Sequence, residues 1–319
     1  MLFFVTGIGG FVGGHLARFL VEQGHRVTGL VRKPRFPETL EPIRASVVEP
    51  LAVGDVRDER VLLEALERHR PRGVFHLAAE SSVRRGEEDP VGVFEVNALG
   101  TLRVLLSARS LGAECRVLVV SSAEVYGRPD RLEPLDERCP LRPVTLYGAS
   151  KAAGEILAAQ AADGYGLDVV RARPFNHTGP GQPSRFVCSD LARQVAEIEE
   201  GRRQVLEVGN VEIVRDFLDV RDAVSAYWKI WERGTRGAVY NVCSGTGRRI
   251  SDVLADLRTL AGLSFESRST TERIREVDVP WLVGDNAALR SLGWSPTVPW
   301  ERTLHELLAE WRGRVRSIA

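Results

Sequence analysis

Short apolar runs alternate with longer stretches in which apolar positions recur every three or four residues, through the first half of the chain. The runs at 2–6, 26–31, 47–53, 73–77, 116–121 and 167–171 are brief and rich in Val, Ile, Leu and Phe, and read as strands. Helical periodicity fills 11–23, 58–69, 90–111 and 144–165, and Gly24 ends the first of these helices. Strands separated by helices predict βαβ units and a parallel sheet. The strand interiors are apolar on both sides, as expected when helices cover both faces. After Arg173 the texture changes. Residues 174–183 are dense in Pro, Gly, Asn and Thr and read as a loop. Helices are expected at 185–200, 220–232, 250–261 and 300–311, with short strands at 205–208 and 239–242. The expected architecture is α/β: a doubly wound parallel sheet over 1–173 and a smaller C-terminal α/β lobe over 174–319. Part of 211–245 is expected to return to the sheet.

The first chemical motif follows the first strand and opens the first helix. It reads Thr6-Gly7-Ile8-Gly9-Gly10-Phe11-Val12-Gly13. Gly7 permits a tight turn, Gly10 lets the backbone approach a pyrophosphate, and Gly13 lets the helix pack close to the sheet. The helix start at Phe11 and Val12 offers unpaired N–H groups to phosphates. This pattern in a strand–turn–helix setting points to a Rossmann dinucleotide site. The second strand ends Leu30-Val31-Arg32-Lys33, with cations where an NAD site carries a carboxylate. Arg32 would meet a 2′-phosphate, so NADP(H) is preferred and NAD(H) remains possible. Asp55 and Val56, after the third strand, face the adenine in this reading. Asp55 is equally a candidate helix cap.

Further on, Ser121-Ser122-Ala123-Glu124-Val125-Tyr126-Gly127 leaves the carboxyl end of a strand, where open α/β sheets bind ligands. In Tyr147-Gly148-Ala149-Ser150-Lys151 the first and last residues share one helix face. An ammonium beside a phenol lowers the phenol pKa and makes it a usable acid or base. Ser122 is placed to hydrogen-bond the same substrate oxygen.

Composition narrows the partners. The 319 residues carry 43 basic and 43 acidic side chains, so no positive field draws the chain to nucleic acid or to anionic lipid. No signal peptide is evident, and no apolar stretch reads as a membrane span. Cys115, Cys139, Cys188 and Cys243 have no paired spacing, so neither a disulfide framework nor a metal site is expected. These features together predict a cytoplasmic protein.

With these motifs the chain resembles the extended short-chain dehydrogenases/reductases that act on nucleotide sugars. The resemblance rests on the glycine motif, His76-Leu77-Ala78-Ala79, Asn97-Ala98-Leu99-Gly100-Thr101, the Ser121 to Gly127 stretch and Tyr147 to Lys151, and it covers essentially the whole chain. It implies that Leu77 and Ala79 line the cofactor groove and that Asn97 is a structural or cofactor-shaping residue. It also implies a homodimer formed through the helices at 90–111 and 144–165.

The later motifs are similar to the subfamilies acting on GDP-linked sugars. They are Arg173-Pro174-Phe175-Asn176-His177-Thr178-Gly179-Pro180-Gly181-Gln182, Arg215-Asp216-Phe217-Leu218-Asp219-Val220-Arg221-Asp222 and Tyr240-Asn241-Val242-Cys243-Ser244-Gly245. By that likeness Asn176 and Arg215 hold a diphosphate, Arg275 joins them, Asp278 binds ribose hydroxyls, and Val187 lies with them. From residues alone, Arg215 and Arg275 read as ion pairs with Asp216 and Glu276.

The implied reaction is NAD(P)H-dependent reduction of the C4 keto group of a GDP-4-keto-6-deoxyhexose. Tyr147 is the proton donor, Lys151 tunes it and touches the nicotinamide ribose, and Ser122 polarises the carbonyl. A GDP-mannose 4,6-dehydratase and a UDP-hexose 4-epimerase are the alternatives, and a non-catalytic NADP sensor is a reading of another class. Glu124 keeps the dehydratase open, because it stands where that enzyme carries its base. Thr178-Gly179-Pro180-Gly181-Gln182 departs from the dehydratase loop, which reads Glu-Ser-Pro-Arg-Arg-Gly, and favours the reductase.

Overall fold

The computed structural model describes every residue except 82, 113–114, 274–277 and 318–319, and leaves the side chains of 83, 84 and 272 undescribed. The first half builds the main sheet. In chain order it contains β1 (Leu2–Thr6), α1 (Phe11–Glu22), β2 (Arg26–Val31), β3 (Ala52–Val53), α2 (Glu59–His69) and β4 (Gly73–His76). There follow α3 (Val83–Glu88), α4 (Pro90–Phe94), α5 (Gly100–Arg109), β5 (Arg116–Val120), α6 (Leu146–Gly164) and β6 (Val169–Pro174). A π-helical turn at Glu95–Leu99 joins α4 to α5. Asp58 caps α2 by accepting from the N–H groups of Arg60 and Val61, and Thr145 caps α6 through the N–H of Gly148. These side chains satisfy donors that a helix start leaves orphaned.

The third strand is shorter than its apolar run. Val47 bridges Val27, Pro50 follows with no N–H to donate, and pairing resumes at Ala52–Val53.

The second half contains β7 (Asn176–Thr178), α7 (Val187–Glu199), β8 (Val205–Val208), β9 (Val214–Asp219), α8 (Val220–Arg233), β10 (Val239–Val242) and β11 (Gly247–Arg249). It ends with α9 (Ile250–Ala261), β12 (Glu266–Ser269), β13 (Trp281–Leu282), α10 (Ala287–Ser291) and α11 (Trp300–Ser317). The stretch at 174–183 is therefore not all loop, because β7 lies within it and pairs with β9.

The main sheet has seven parallel strands in the order β10-β6-β5-β4-β1-β2-β3. The order reverses between β1 and β4, which opens a crevice at their carboxyl ends. One face packs on α1 and α8 through Leu16, Leu20, Tyr227 and Trp231, and the other on α2, α5 and α6 through Leu62, Leu66, Leu105 and Ala158. Thus α8 and β10 rejoin the sheet after the chain has left it. Their return is fastened at β5: Arg116 donates to the carbonyls of Trp231 and Gly234 at 2.6 and 2.7 Å, and the Trp231 ring meets Phe3 edge-on at 4.8 Å.

The smaller part sets β7, β9, β11 and β13 in one sheet and β8 with β12 in another. Its core lies between α7, α9 and α11, where Leu191, Val195, Leu254, Leu257, Leu304 and Leu308 are buried together. The run Pro90–Arg109 is long and apolar enough to cross a membrane by length and composition, in contrast to the sequence reading. Half of it is buried inside the fold, where α5 packs on α2 and α6, as in a core helix.

Candidate active site

A cleft of about 1750 Å³ runs over the carboxyl ends of the sheet strands and under the smaller part. At its floor is the glycine turn. Gly7 has φ +73°, and a Cβ on Gly13 would lie 2.1 Å from the Gly7 carbonyl oxygen, so a side chain there would push α1 off the strand. No side chain caps α1 at Gly10, so the first-turn N–H groups of Phe11, Val12 and Gly13 remain for an anion. This cradle fits a dinucleotide pyrophosphate. Leu77, Ala79 and Val56 line the same end of the cleft.

Arg32 lines the cleft at the exposed end of β2. Asp55 is held 2.9 Å from Arg57 Nε, and hydrogen bonds from Arg57, with the nearby Arg32 charge, draw its carboxyl below the usual range. The helix cap is Asp58, so Asp55 is left facing the cleft rather than starting α2.

The middle of the cleft is set by β5 and α6. Ser122 follows β5 and caps the short helix Ala123–Tyr126, accepting from the Glu124 N–H at 3.2 Å. Tyr147 lines the same wall of the cleft as Ser122. Burial pushes the Tyr147 phenol up to about 12; the nearby Ser122 hydroxyl draws it down, while the Glu124 and Glu80 carboxylates add to the rise. Lys151 is buried and donates to the Val120 carbonyl. Burial pulls its ammonium down to about 8, against the attraction of Glu155. The ammonium is thus tied to β5 and not to the phenol, and burial outweighs the lowering that a lysine one turn away was expected to produce.

The far end is built by β7, α7, β9 and the segment before β13. Asn176, Val187, Arg215 and Asp278 line it. Arg215 is buried and donates to Asp278 at 3.2 Å. The acid beside it in sequence turns the other way: Asp216 accepts from the N–H groups of Ser244 and Gly245. Apart from Asn97, which is buried outside the lining, and Arg275, which lies outside the described residues with its neighbour Glu276, the site residues named from the sequence line this one cleft.

The model of the GDP-mannose 4,6-dehydratase family matches residues 4–307. The chain belongs to this family. It is similar to the GDP-6-deoxy-D-mannose reductase of Pseudomonas aeruginosa, with 35% identity over 98% of each chain. Among solved structures it is similar to RMD from Pseudomonas aeruginosa complexed with NADPH, at 33% identity, 98% and 99% coverage and a TM-score of 0.85. It is also similar to the UDP-glucose 4-epimerase of Thermus thermophilus complexed with NAD, at 30% identity, 98% and 99% coverage and a TM-score of 0.85.

Other residues of this family member, several of them inside the motifs already named, shape the cleft through contacts that the sequence does not show. Asn97 joins two walls, donating to the Glu80 carbonyl and to Ser150 Oγ at 3.0 and 2.9 Å. Thr6 and Thr101 hold the buried His76 ring between them, and burial pulls that imidazole down to about 3. Glu155, one turn beyond Lys151, pairs with buried Arg173 at 2.6 Å and fixes α6 against β6. Phe11 lies parallel to the His177 ring at 6.3 Å, and burial takes that imidazole down to about 4. Arg185 and Arg273 also border the far end. Their signal would be cationic character near a diphosphate site, but arginine is frequent throughout this chain.

Proposed function

We propose that the protein reduces the C4 keto group of a GDP-4-keto-6-deoxyhexose, of the GDP-4-keto-6-deoxy-D-mannose to GDP-D-rhamnose type, with NADPH preferred and NADH accepted. The observation that carries this reading is the Tyr147 phenol, kept protonated by burial, lining the cleft of a dinucleotide-binding sheet together with Ser122 and Lys151. Ketone reduction needs a proton at the substrate oxygen, and a phenol whose pKa is raised by burial keeps its proton until one is drawn from it. The likeness to the GDP-6-deoxy-D-mannose reductase supports the substrate, and the likeness to RMD with NADPH supports the cofactor.

The cofactor, when bound, supplies a hydride to the carbonyl carbon. The chain supplies the rest. Gly7, Gly10, Phe11, Val12 and Gly13 would hold the pyrophosphate, Arg32 the 2′-phosphate, Asp55 and Val56 the adenine, and Leu77 and Ala79 the groove wall. Ser122 donates a hydrogen bond to the keto oxygen, and Tyr147 passes its proton to the alkoxide. Lys151, held by Val120, faces the ribose and stabilises the phenolate that results. Asn176 and Arg215 take the diphosphate, Asp278 the ribose hydroxyls, and Val187 packs beside them.

Residues 1–173 serve the dinucleotide and 174–319 the sugar nucleotide, with α8 and β10 belonging to the sheet. The apolar side chains Val91, Phe94 and Leu99 on the α4–α5 run and Ile156 on α6 are exposed, which supports a homodimer through these helices. The four free thiols fit a reducing, cytoplasmic setting.

The test is NADPH absorbance with two sugars. Consumption with GDP-4-keto-6-deoxy-D-mannose and none with GDP-mannose supports the reductase; no consumption with either refutes it. A second reading, the dehydratase, is favoured by Glu124 in the cleft wall. It requires Glu124 to remove the C5 proton, so Glu124→Gln would abolish elimination. For a reductase the same change costs at most about tenfold.

A further inference from the structure

The mechanism above gives no task to Glu80, a carboxylate at the catalytic end of the cleft. Glu80 follows His76-Leu77-Ala78-Ala79 beyond β4 and lines the cleft with Ser81, Ser122, Glu124 and Tyr147. Its backbone is held on both sides by a single side chain. The Glu80 N–H donates to Asn97 Oδ1 at 2.8 Å, and the Glu80 carbonyl accepts from Asn97 Nδ2 at 3.0 Å. Asn97 Nδ2 reaches Ser150 Oγ, and Ser150 Oγ donates to the Tyr147 carbonyl at 2.8 Å. Glu80 is therefore fixed to the first turn of α6, the turn that carries the phenol.

Its carboxylate is not absorbed by the fold. Among the described residues the nearest cation is Arg85, whose Nε stands 4.0 Å away, beyond hydrogen-bond reach, and the Glu80 side chain is 29% exposed. The same wall holds the buried Ser121 hydroxyl, which has no partner among the described residues. An acceptor-only group whose backbone is fixed to the turn that carries the proton donor, in a cleft that takes a polyhydroxylated ring, has an evident class of ligand: the hydroxyl donors of that ring.

We infer that Glu80 is a positioning residue for the sugar, its carboxylate accepting hydrogen bonds from hexose hydroxyls and holding the ring against Tyr147. This rests on the nucleotide-sugar reading of the cleft. Glu80 also bears on the phenol's proton. Among the described residues the charged or titratable groups that act on Tyr147 are Glu80 and Glu124, with Tyr227 from α8 coupled to it, while the Lys151 ammonium on the next turn is tied to β5. The two carboxylates push the phenol upward. Removing one lets it ionise at lower pH, and reduction needs it protonated.

The experiment compares the full-length protein with Glu80→Gln and Glu80→Asp. Calorimetry measures NADPH, GDP and GDP-mannose, and initial rates with the keto sugar are followed against pH. In Glu80→Gln, NADPH and GDP bind as before, the advantage of GDP-mannose over GDP shrinks by about tenfold, and KM for the keto sugar rises by a similar factor. The alkaline limb of the rate profile moves to lower pH. Glu80→Asp keeps the charge on a shorter arm, so it loses sugar affinity and retains the alkaline limb. Unchanged GDP-mannose affinity in Glu80→Gln overturns the inference, as does a parallel loss of NADPH and GDP binding, which would make Glu80 a loop-building residue. If the unmodified protein binds neither GDP nor GDP-mannose, the parent reading itself fails, a result distinct from either of these.

Discussion

Arg215 on β9 donates to the Asp278 carboxylate at 3.2 Å, although 63 positions separate them in the chain. Asp278 stands just before β13, which pairs with β9, so the sheet brings the two together. The pair holds a guanidinium in the cleft wall with part of its fork committed to Asp278 and to the Val214 carbonyl. A lysine would keep the charge and lose the fork. Arg215→Lys is expected to weaken GDP binding by about tenfold while leaving NADPH binding unchanged, as calorimetry would show. Equal loss of both ligands would mean that the pair supports the fold and not the diphosphate.

Tyr147→Phe removes the proton donor and keeps the ring. Turnover of the keto sugar is expected to fall about a hundredfold or more, with NADPH binding preserved. Single-turnover kinetics with NADPH in excess separate this from a binding defect. Near-normal turnover would remove Tyr147 from the mechanism.

Arg32 lines the cleft beside Asp55, with no acid at the end of β2 to take a ribose hydroxyl. Arg32→Asp is expected to turn the preference from NADPH towards NADH. The ratio of kcat/KM for the two cofactors measures it. A ratio unmoved by the substitution would place the 2′-phosphate elsewhere.

Stability should weaken on acidification. The His76 imidazole ionises near 3 in the folded chain and near 6.5 when unfolded, so below about pH 6.5 the unfolded chain binds a proton that the folded one refuses. The contribution is fully present above that pH and is lost as pH falls towards 3, at up to about 1.4 kcal/mol per pH unit. His177, drawn down to about 4, acts in the same direction over pH 6.5 to 4. Urea unfolding of His76→Gln should show a shallower slope of stability between pH 6.5 and 4.5. An unaltered slope would show that His76 takes up its proton within the fold.

The parts of this architecture written in local pattern were readable. β1, β2, β8, β10 and α9 begin and end where the apolar periodicity places them. β9 was hidden because its strand residues Arg215, Asp216 and Asp219 are charged, and they are buried only because Asp278, Ser244 and Thr303 arrive from elsewhere. No window of sequence contains those partners. In the cleft, the glycine turn and the Tyr147 to Lys151 spacing are local and were visible. That the Lys151 ammonium ends on Val120, and that Asn97 fastens Glu80 to α6, depend on contacts between distant segments. Helical spacing shows which residues share a face, not where a flexible side chain finds its partner.

The central claim is that a hydride passes to C4 of the sugar while C5 is left untouched. The direct measurement uses NADPH deuterated at the transferable C4 position with GDP-4-keto-6-deoxy-D-mannose in ordinary water, and a parallel reaction with unlabelled NADPH in deuterium oxide. Mass spectrometry and proton NMR then locate the label in the product. The account predicts one carbon-bound deuterium at hexose C4 in the first reaction and none at C5 in the second. Deuterium at C5, or a keto sugar released from GDP-mannose with no NADPH consumed, would contradict it and assign the protein to the dehydratases.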